Sequence, residues 1–149
     1  MAALKAQIEH DLKEAMLARN QIKADTLRML KSAIKYLEIE KKAEADAEML
    51  IEVISREIKK RREAAEQFRN NGREEAAAKE EEEAGFLLKY LPEQLSEAEV
   101  RRLVKEAIQQ VGASGPSDMG KVMGALMPKV KGKADGTLVS KLVKESLAG

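Results

Sequence analysis

The sequence lacks cysteine and tryptophan, and its 149 residues include only two phenylalanines, two tyrosines and one histidine. Without cysteine, the chain cannot form a disulfide, a thiolate metal site or a cysteine nucleophile. It also lacks any apolar run approaching the roughly 20 residues that span a bilayer. We therefore expect a soluble, cytoplasmic protein with no membrane partner.

The residues that are abundant favour an all-α fold. Hydrophobic residues make up 44% of the chain and charged residues 36%, and the mixture is rich in Ala, Glu, Lys, Leu and Arg, as in helical proteins. Apolar residues recur at three- and four-residue steps through most of the chain. The sequence predicts an N-terminal helical bundle or pair of helical hairpins over residues 1–92. It predicts a small three-helix C-terminal tail domain over residues 93–149, with Pro92 at the joint.

Several helix ends are marked by residues that cap or stop helices. Asp25 is predicted to cap the second helix, and the third helix is predicted to run from about Asp46 to Asn70. Asn70, Asn71 and Gly72 then stop the helix, because these residues tolerate left-handed backbone conformations. Ser96 forms a predicted capping box with the glutamate three residues later, which starts the first helix of the tail domain.

The third helix carries a basic face opposite its apolar stripe. Between residues 55 and 73, seven basic residues oppose three acidic ones. The centre of this cluster is the secondary candidate for nucleic-acid binding: Lys59, Lys60, Arg61 and Arg62. The glutamates at 80–83 are interpreted as a solvated helix face that can also pair with these cations.

The stretch from Asp118 to Gly136 combines helical periodicity with four glycines and four lysines. Gly120 and Gly124 fall inside a predicted amphipathic helix, where each glycine costs about 1 kcal/mol relative to alanine. Because they are four residues apart, they share a face that another backbone can approach closely. Two explanations are open: a helix of this chain or of a second copy packs there, or the backbone of an RNA ligand does.

Lysines surround the two glycines and extend into the loop that follows. The candidate nucleic-acid-binding residues are Gly120, Lys121, Gly124, Lys129, Lys131, Gly132 and Lys133. Lysines placed in this way can neutralise phosphates without reading base sequence. The stretch has no aromatic residue to stack on unpaired bases, so structured RNA is favoured over single strands. The alternative is a soluble helix end whose lysines complement the helix dipole.

The sequence contains no convincing catalytic pattern. Residues 115–121 have the spacing of a phosphate-binding loop, but Val122 stands where Ser or Thr would hold magnesium, and no strand precedes the loop. Helical periodicity gives His10 no partners for metal binding or general-base chemistry, so we expect it on the surface. No Gly-x-Ser-x-Gly elbow marks a nucleophile. The sequence therefore predicts no catalytic residue, no metal site and no cofactor.

Four motifs resemble those of the YqeY proteins. They are REIKKRRE at 56–63, YLPEQL at 90–95, DMGKVMG at 118–124 and KGKADG at 131–136. The YqeY proteins are small bacterial relatives of the C-terminal region of GatB, the B subunit of the tRNA-dependent amidotransferase. The resemblance covers essentially the whole chain, and the last two motifs are specific.

The resemblance implies a two-part helical protein whose tail domain binds tRNA. In the amidotransferase, the matching tail grips the folded outer corner of tRNA, while the glutamine-dependent carbon–nitrogen ligase chemistry lies in parts that this chain lacks. The implied function is a non-catalytic RNA-binding module acting on tRNA. The alternatives are an accessory component of the ligase activity, or an adaptor that docks on an amidotransferase or an aminoacyl-tRNA synthetase through the helix bearing Met123 and Leu126.

Overall fold

Residues 2–148, which the computed structural model describes, form seven α-helices and one short 3₁₀ turn, with no β-strand among them. The predicted all-α fold is therefore confirmed. In chain order the helices are α1 (Ala2–Leu17), α2 (Gln21–Lys41), α3 (Ala47–Asn70), α4 (Glu74–Leu88), α5 (Glu97–Val111), α6 (Met119–Val130) and α7 (Gly136–Ala148). The 3₁₀ turn, Pro116–Asp118, directly precedes α6. Within this part of the chain, every helix is too short or too polar to pass through a lipid bilayer.

The first of two compact units comprises Met1–Leu91. In it α1 packs along α2, α3 packs along α4, and α2 contacts both α3 and α4. The apolar stripes of these helices meet in a core whose largest fully buried side chains are Ile8, Leu27, Leu30, Leu50, Ile54 and Leu87. Full burial of a Leu or Ile side chain stabilises a fold by roughly 1.5–3 kcal/mol, so this core holds the helical hairpins together.

The start of α2 corrects one prediction. Asp25 does not cap this helix; Asn20 does, because its side-chain oxygen accepts a hydrogen bond from the backbone amide three residues later at 3.2 Å. Ala24 is buried, so the apolar stripe begins before Asp25 and the helix extends further towards the N-terminus. Asp25 lies within α2 and accepts hydrogen bonds from the side chains of Gln21 and Arg28.

The predicted limits of α3 are confirmed. Asp46 caps the helix by accepting a hydrogen bond from the Met49 amide at 2.9 Å, and the helix ends at Asn70. Gly72 follows with a φ of +75°, a left-handed conformation that glycine adopts without steric cost. This tight turn brings α4 back along α3.

The second compact unit, Pro92–Gly149, contains α5, α6 and α7. Ser96 caps α5 by accepting a hydrogen bond from the Glu99 amide at 3.1 Å, and Gly112 ends α5 with a φ of +66°. The three helices enclose a core of small and branched side chains: Val100, Val104, Ala107, Val122, Leu126, Val130, Val139, Leu142, Val143 and Leu147. This core determines which side of α6 faces solvent.

Candidate nucleic-acid interface

One side of α6 is buried and the other is open to solvent. Val122, Leu126 and Val130 are fully buried in the core of the C-terminal unit. Gly120 and Gly124 are exposed on the other side. Residues four apart on an α-helix lie about 40° apart around its axis, so the two glycines form one continuous strip. We call this strip the glycine face.

The glycine face has no packing role within the described residues of the chain. A Cβ atom built on Gly120 or Gly124 would meet no heavy atom within 4 Å. Among the described residues no other helix of this chain packs there, which leaves the other two explanations, a helix of a second copy or the backbone of an RNA ligand. Gly124, in the interior of α6, still weakens the helix by about 1 kcal/mol relative to alanine, and Gly120, the second residue of α6, weakens it less. No contact in this part of the molecule compensates for that cost.

Pro128 adds a hydrogen-bond acceptor to the glycine face. It lies inside the last turn of α6 and has no N–H, so it cannot donate the usual helical hydrogen bond to the Gly124 carbonyl four residues earlier. That carbonyl oxygen lacks its regular partner and can accept a hydrogen bond from a ligand. Gly124 has no side chain that would block the approach.

Asp118 holds the loop that precedes α6. Its carboxylate accepts a hydrogen bond from the Ser114 amide at 2.9 Å. This bond is the main cause that holds the pKa of Asp118 below its ordinary value, and Lys121 lowers the pKa further, while partial burial opposes both. Lys121 Nζ lies 4.0 Å from the carboxylate, and the lysine side chain is 71% exposed. The carboxylate is thus engaged by the preceding loop, and Lys121 projects into solvent.

The turn after α6 is held by an earlier segment of the same unit. Gly132 has a φ of +74°, in the left-handed region. The Gln94 side-chain amide donates to the Gly132 carbonyl at 2.9 Å, and the Leu95 amide donates to the Lys133 carbonyl at 2.8 Å. Because these bonds fix the backbone of the turn, the exposed side chains of Lys131 and Lys133 extend from a defined position.

The four candidate lysines are all exposed, but the structure does not bring them onto one face. Lys121 borders the glycine face in the first turn of α6. Lys129 lies about 140° round the helix from Gly124, next to the buried stripe. Lys131 and Lys133 lie just beyond the end of the helix. The glycine face therefore has Lys121 beside it and two further lysines past its C-terminal end.

The predicted basic face on α3 is wrong at one position. Lys59, Lys60 and Arg62 are exposed, but Arg61 is only 4% exposed. Position 61 falls three residues after the buried Ile58, and this spacing continues the apolar stripe. Arg61 is therefore part of the packed interior of the N-terminal unit.

Acidic groups compensate the buried Arg61 guanidinium. Its Nη1 donates to Glu57 Oε1 at 3.1 Å, and its Nε lies 3.4 Å from Glu83 Oε2, an ion pair without a hydrogen bond. Its Nη2 also contacts the Met29 sulfur at 3.5 Å. Burial raises the pKa of Glu83 and Glu80 adds to this effect, whereas Arg61 opposes it. This arginine links α3 to Glu83 of α4 and is not accessible to a nucleic acid.

The sequence predictions missed the roles of three residues near the interface: Gln94, Asp118, which holds the loop before α6, and Pro128, which removes the regular helical donor to the Gly124 carbonyl. The spacing of Pro128 four residues after Gly124 was a usable signal, because it removes a helical donor from a known position. Gln94 had no such signal, because its partner Gly132 is 38 residues away.

Together, the fold and the site define a class of protein. It is an all-helical protein whose small C-terminal unit presents exposed helical glycines beside lysines. Comparison with known families agrees with this class and narrows it to one family. The chain belongs to the YqeY-like protein family, which matches it over residues 5–147. The resemblance seen in the motifs is thereby confirmed.

Three relatives illustrate this membership. The chain is similar to altered inheritance of mitochondria protein 41 of Pyrenophora tritici-repentis, with 32% identity over 142 residues, covering 93% of this chain and 78% of that protein. It is also similar to the E subunits of two glutamyl-tRNA(Gln) amidotransferases. The identity is 46% over 57 residues for the protein of Thermococcus gammatolerans and 40% over 57 residues for that of Thermococcus sibiricus. These two alignments cover 36% of this chain but only 9% of each amidotransferase protein.

Proposed function

We propose that this protein is a non-catalytic RNA-binding module and that its ligand is tRNA. The proposed binding surface, called the α6 surface below, consists of Gly120, Lys121 and Gly124 with Lys131, Gly132 and Lys133 in the following turn. The exposed glycine pair carries the proposal, because it costs helix stability and packs against nothing in the described part of the chain. Such a cost is expected where a residue serves binding rather than folding.

The α6 surface suits the backbone of RNA better than its bases. Bare helix backbone lets a ribose or phosphate approach to van der Waals contact, and the lysines neutralise phosphate charge. The Gly124 carbonyl can accept a hydrogen bond from a ribose 2′-hydroxyl, the group that distinguishes RNA from DNA. Residues 118–136 contain no aromatic side chain for base stacking. The surface therefore favours a folded RNA recognised by its shape.

The choice of tRNA is supported by the relatives. Two of them are named as subunits of glutamyl-tRNA(Gln) amidotransferases, and this chain spans only 9% of each. We propose that the shared part handles tRNA and that amide transfer belongs to the remainder of those proteins. An amidotransferase or an aminoacyl-tRNA synthetase acting on the same tRNA is then the proposed protein partner.

The two alternative functions have less support. An adaptor docking through Met123 and Leu126 lacks its surface, because Leu126 is fully buried and Met123 packs against the same core. A component of glutamine-dependent carbon–nitrogen ligase activity would release ammonia from glutamine. We expect the purified chain to release none, and a measured release would favour that alternative.

Fluorescence anisotropy of labelled tRNA, titrated with the full-length chain over a series of salt concentrations, tests the proposal. We expect saturable binding that prefers tRNA to an RNA duplex and weakens as salt rises. The triple variant Lys121→Glu, Lys131→Glu, Lys133→Glu should bind much more weakly, with a salt slope lower by about one for each lysine–phosphate pair that the substitutions remove. Absence of binding at low salt would overturn the proposal.

A second triple variant is the matched control. Lys13→Glu, Lys35→Glu, Lys41→Glu alters three exposed lysines of α1 and α2, outside both candidate binding regions, and changes the net charge by the same amount. We expect only the modest decrease in affinity that follows from net charge. Equal decreases in the two variants would mean that overall charge, rather than the α6 surface, attracts tRNA.

A further inference from the structure

We propose that His10, Asp11 and Glu14 on α1 bind a divalent transition-metal ion such as Zn²⁺. One ligand atom from each of the three side chains lies within 4.8 Å of the other two. His10 Nε2 and Glu14 Oε1 are 3.2 Å apart. Two atoms bound to one zinc ion at about 2.0–2.2 Å are about 3.0–3.5 Å apart, so this pair already has the required spacing.

The position of the cluster on α1 explains the spacing. His10 and Glu14 are four residues apart and lie one turn above the other on the same side of the helix. Their side chains are 62% and 64% exposed, so both can rotate towards an ion that arrives from solvent. Asp11 is adjacent and half-buried, and one of its carboxylate oxygens lies within 4.8 Å of the ligand atoms of His10 and Glu14.

Asp11 is held in place by donors on both oxygens. Its Oδ1 accepts a hydrogen bond from the Gln7 side-chain amide at 2.8 Å, and its Oδ2 accepts one from the Tyr90 hydroxyl. Each carboxylate oxygen keeps a second lone pair for a metal. Donors of this type orient metal-ligating carboxylates in known sites.

The ligand set selects the class of ion. An imidazole nitrogen suits zinc and related transition metals, whereas magnesium and calcium prefer oxygen alone. The two carboxylates supply two negative charges, which match a divalent cation. Three protein ligands leave further coordination positions for water. The cluster is therefore a partial zinc shell, built on α1 and supported by Tyr90.

The composition of the chain makes the test direct. His10 is the single histidine and there is no cysteine, so the imidazole NMR signals of an untagged, full-length chain report one site. We expect zinc to shift these signals saturably at a one-to-one ratio. Asp11→Asn and Glu14→Gln should each weaken the zinc affinity by at least about tenfold. Circular dichroism confirms that each variant remains helical.

Two more variants distinguish zinc binding by the three-residue cluster from zinc binding by the His10 imidazole alone. Tyr90→Phe should weaken zinc affinity by about 10- to 100-fold, as loss of an outer-shell partner does. Glu9→Gln is the control on the same helix, because the Glu9 carboxylate pairs with Lys31 at 2.6 Å, and it should leave the affinity unchanged. Unshifted imidazole signals in excess zinc would overturn the proposal. Equal affinity in wild type, Asp11→Asn and Glu14→Gln would also overturn it.

Discussion

Arg61 shows how a single charged residue can belong to a core. It lies in a buried position of α3 with Glu57 and Glu83 as its ionic partners. Taking these groups out of water costs free energy that their mutual attraction only partly repays. Removing one member of the cluster therefore lowers the stability of the fold, because the charges that remain stay buried with less compensation.

Replacing this arginine tests that account. Arg61→Ala should lower the free energy of unfolding by about 3–5 kcal/mol, since it removes the cation beside Glu83 and leaves Lys60 as the remaining cation beside the buried Glu57. The neighbouring exposed residue provides the control, and Arg62→Ala should change stability by less than about 0.5 kcal/mol. Urea unfolding followed by circular dichroism measures both. Similar effects for the two variants would contradict the buried role of Arg61.

Gly132 is a second residue whose conformation limits what can replace it. Its φ of +74° is in the left-handed region, where an L side chain costs about 1–2 kcal/mol. Gly132→Ala should destabilise the chain by that amount in denaturant titrations. Gly136→Ala is the comparison, because Gly136 has no positive φ and open space at its Cβ position. A destabilisation no larger for Gly132→Ala than for Gly136→Ala would argue against strain at this turn.

At the scale of the element, the start of α6 depends on the charge of Asp118. The pKa of this carboxyl lies below its ordinary value of 3.8, mainly because the Ser114 amide donates to it. A lowered folded-state pKa gives stability that is present above the unfolded pKa and is lost as pH falls through the folded value. The anchor of the loop before α6 should therefore weaken only in acid.

The pH dependence of unfolding checks this expectation. Between neutral pH and about pH 5, Asp118 should remain ionised and contribute its full stabilisation. Below the ordinary aspartate pKa, the stability difference between wild type and Asp118→Ala should shrink progressively, because protonation removes the charge that the Ser114 amide favours. Denaturant unfolding of both chains at several pH values measures the difference. A constant difference down to acid pH would contradict the role of the charge.

The helices show what the sequence could and could not predict. Ser96 predicted the start of α5, because a helix cap acts through neighbouring residues. Arg61 was misplaced because a charged residue was assumed to face solvent, although its spacing matched the apolar stripe. The bond from Gln94 to Gly132 joins residues far apart in sequence, so local patterns carried no information about it.

At the scale of the whole molecule, the glycine face lowers the stability of the smaller, C-terminal unit. The core of the C-terminal unit consists of ten buried side chains, and small cores leave little reserve of stability. Gly124 costs about 1 kcal/mol relative to alanine in the interior of α6, and Gly120 adds a smaller cost in the first turn. Neither glycine packs against another part of the described residues. The proposed RNA-binding role of the α6 surface accounts for both this cost and the missing contacts.

The most direct test compares stability and tRNA affinity in the variant Gly120→Gln, Gly124→Gln. Glutamine is a good helix former and leaves the charge unchanged, so stability should rise by about 0.5–1 kcal/mol at Gly124, in the helix interior, and by less at Gly120, in the first turn. Tight approach of an RNA backbone would be blocked, and tRNA affinity should fall. Gly85→Gln is the control, because Gly85 also lies in a helix with open space at its Cβ position. We predict that it gains stability without losing affinity. Unchanged tRNA affinity in the α6 variant would contradict the proposed role of the glycine face.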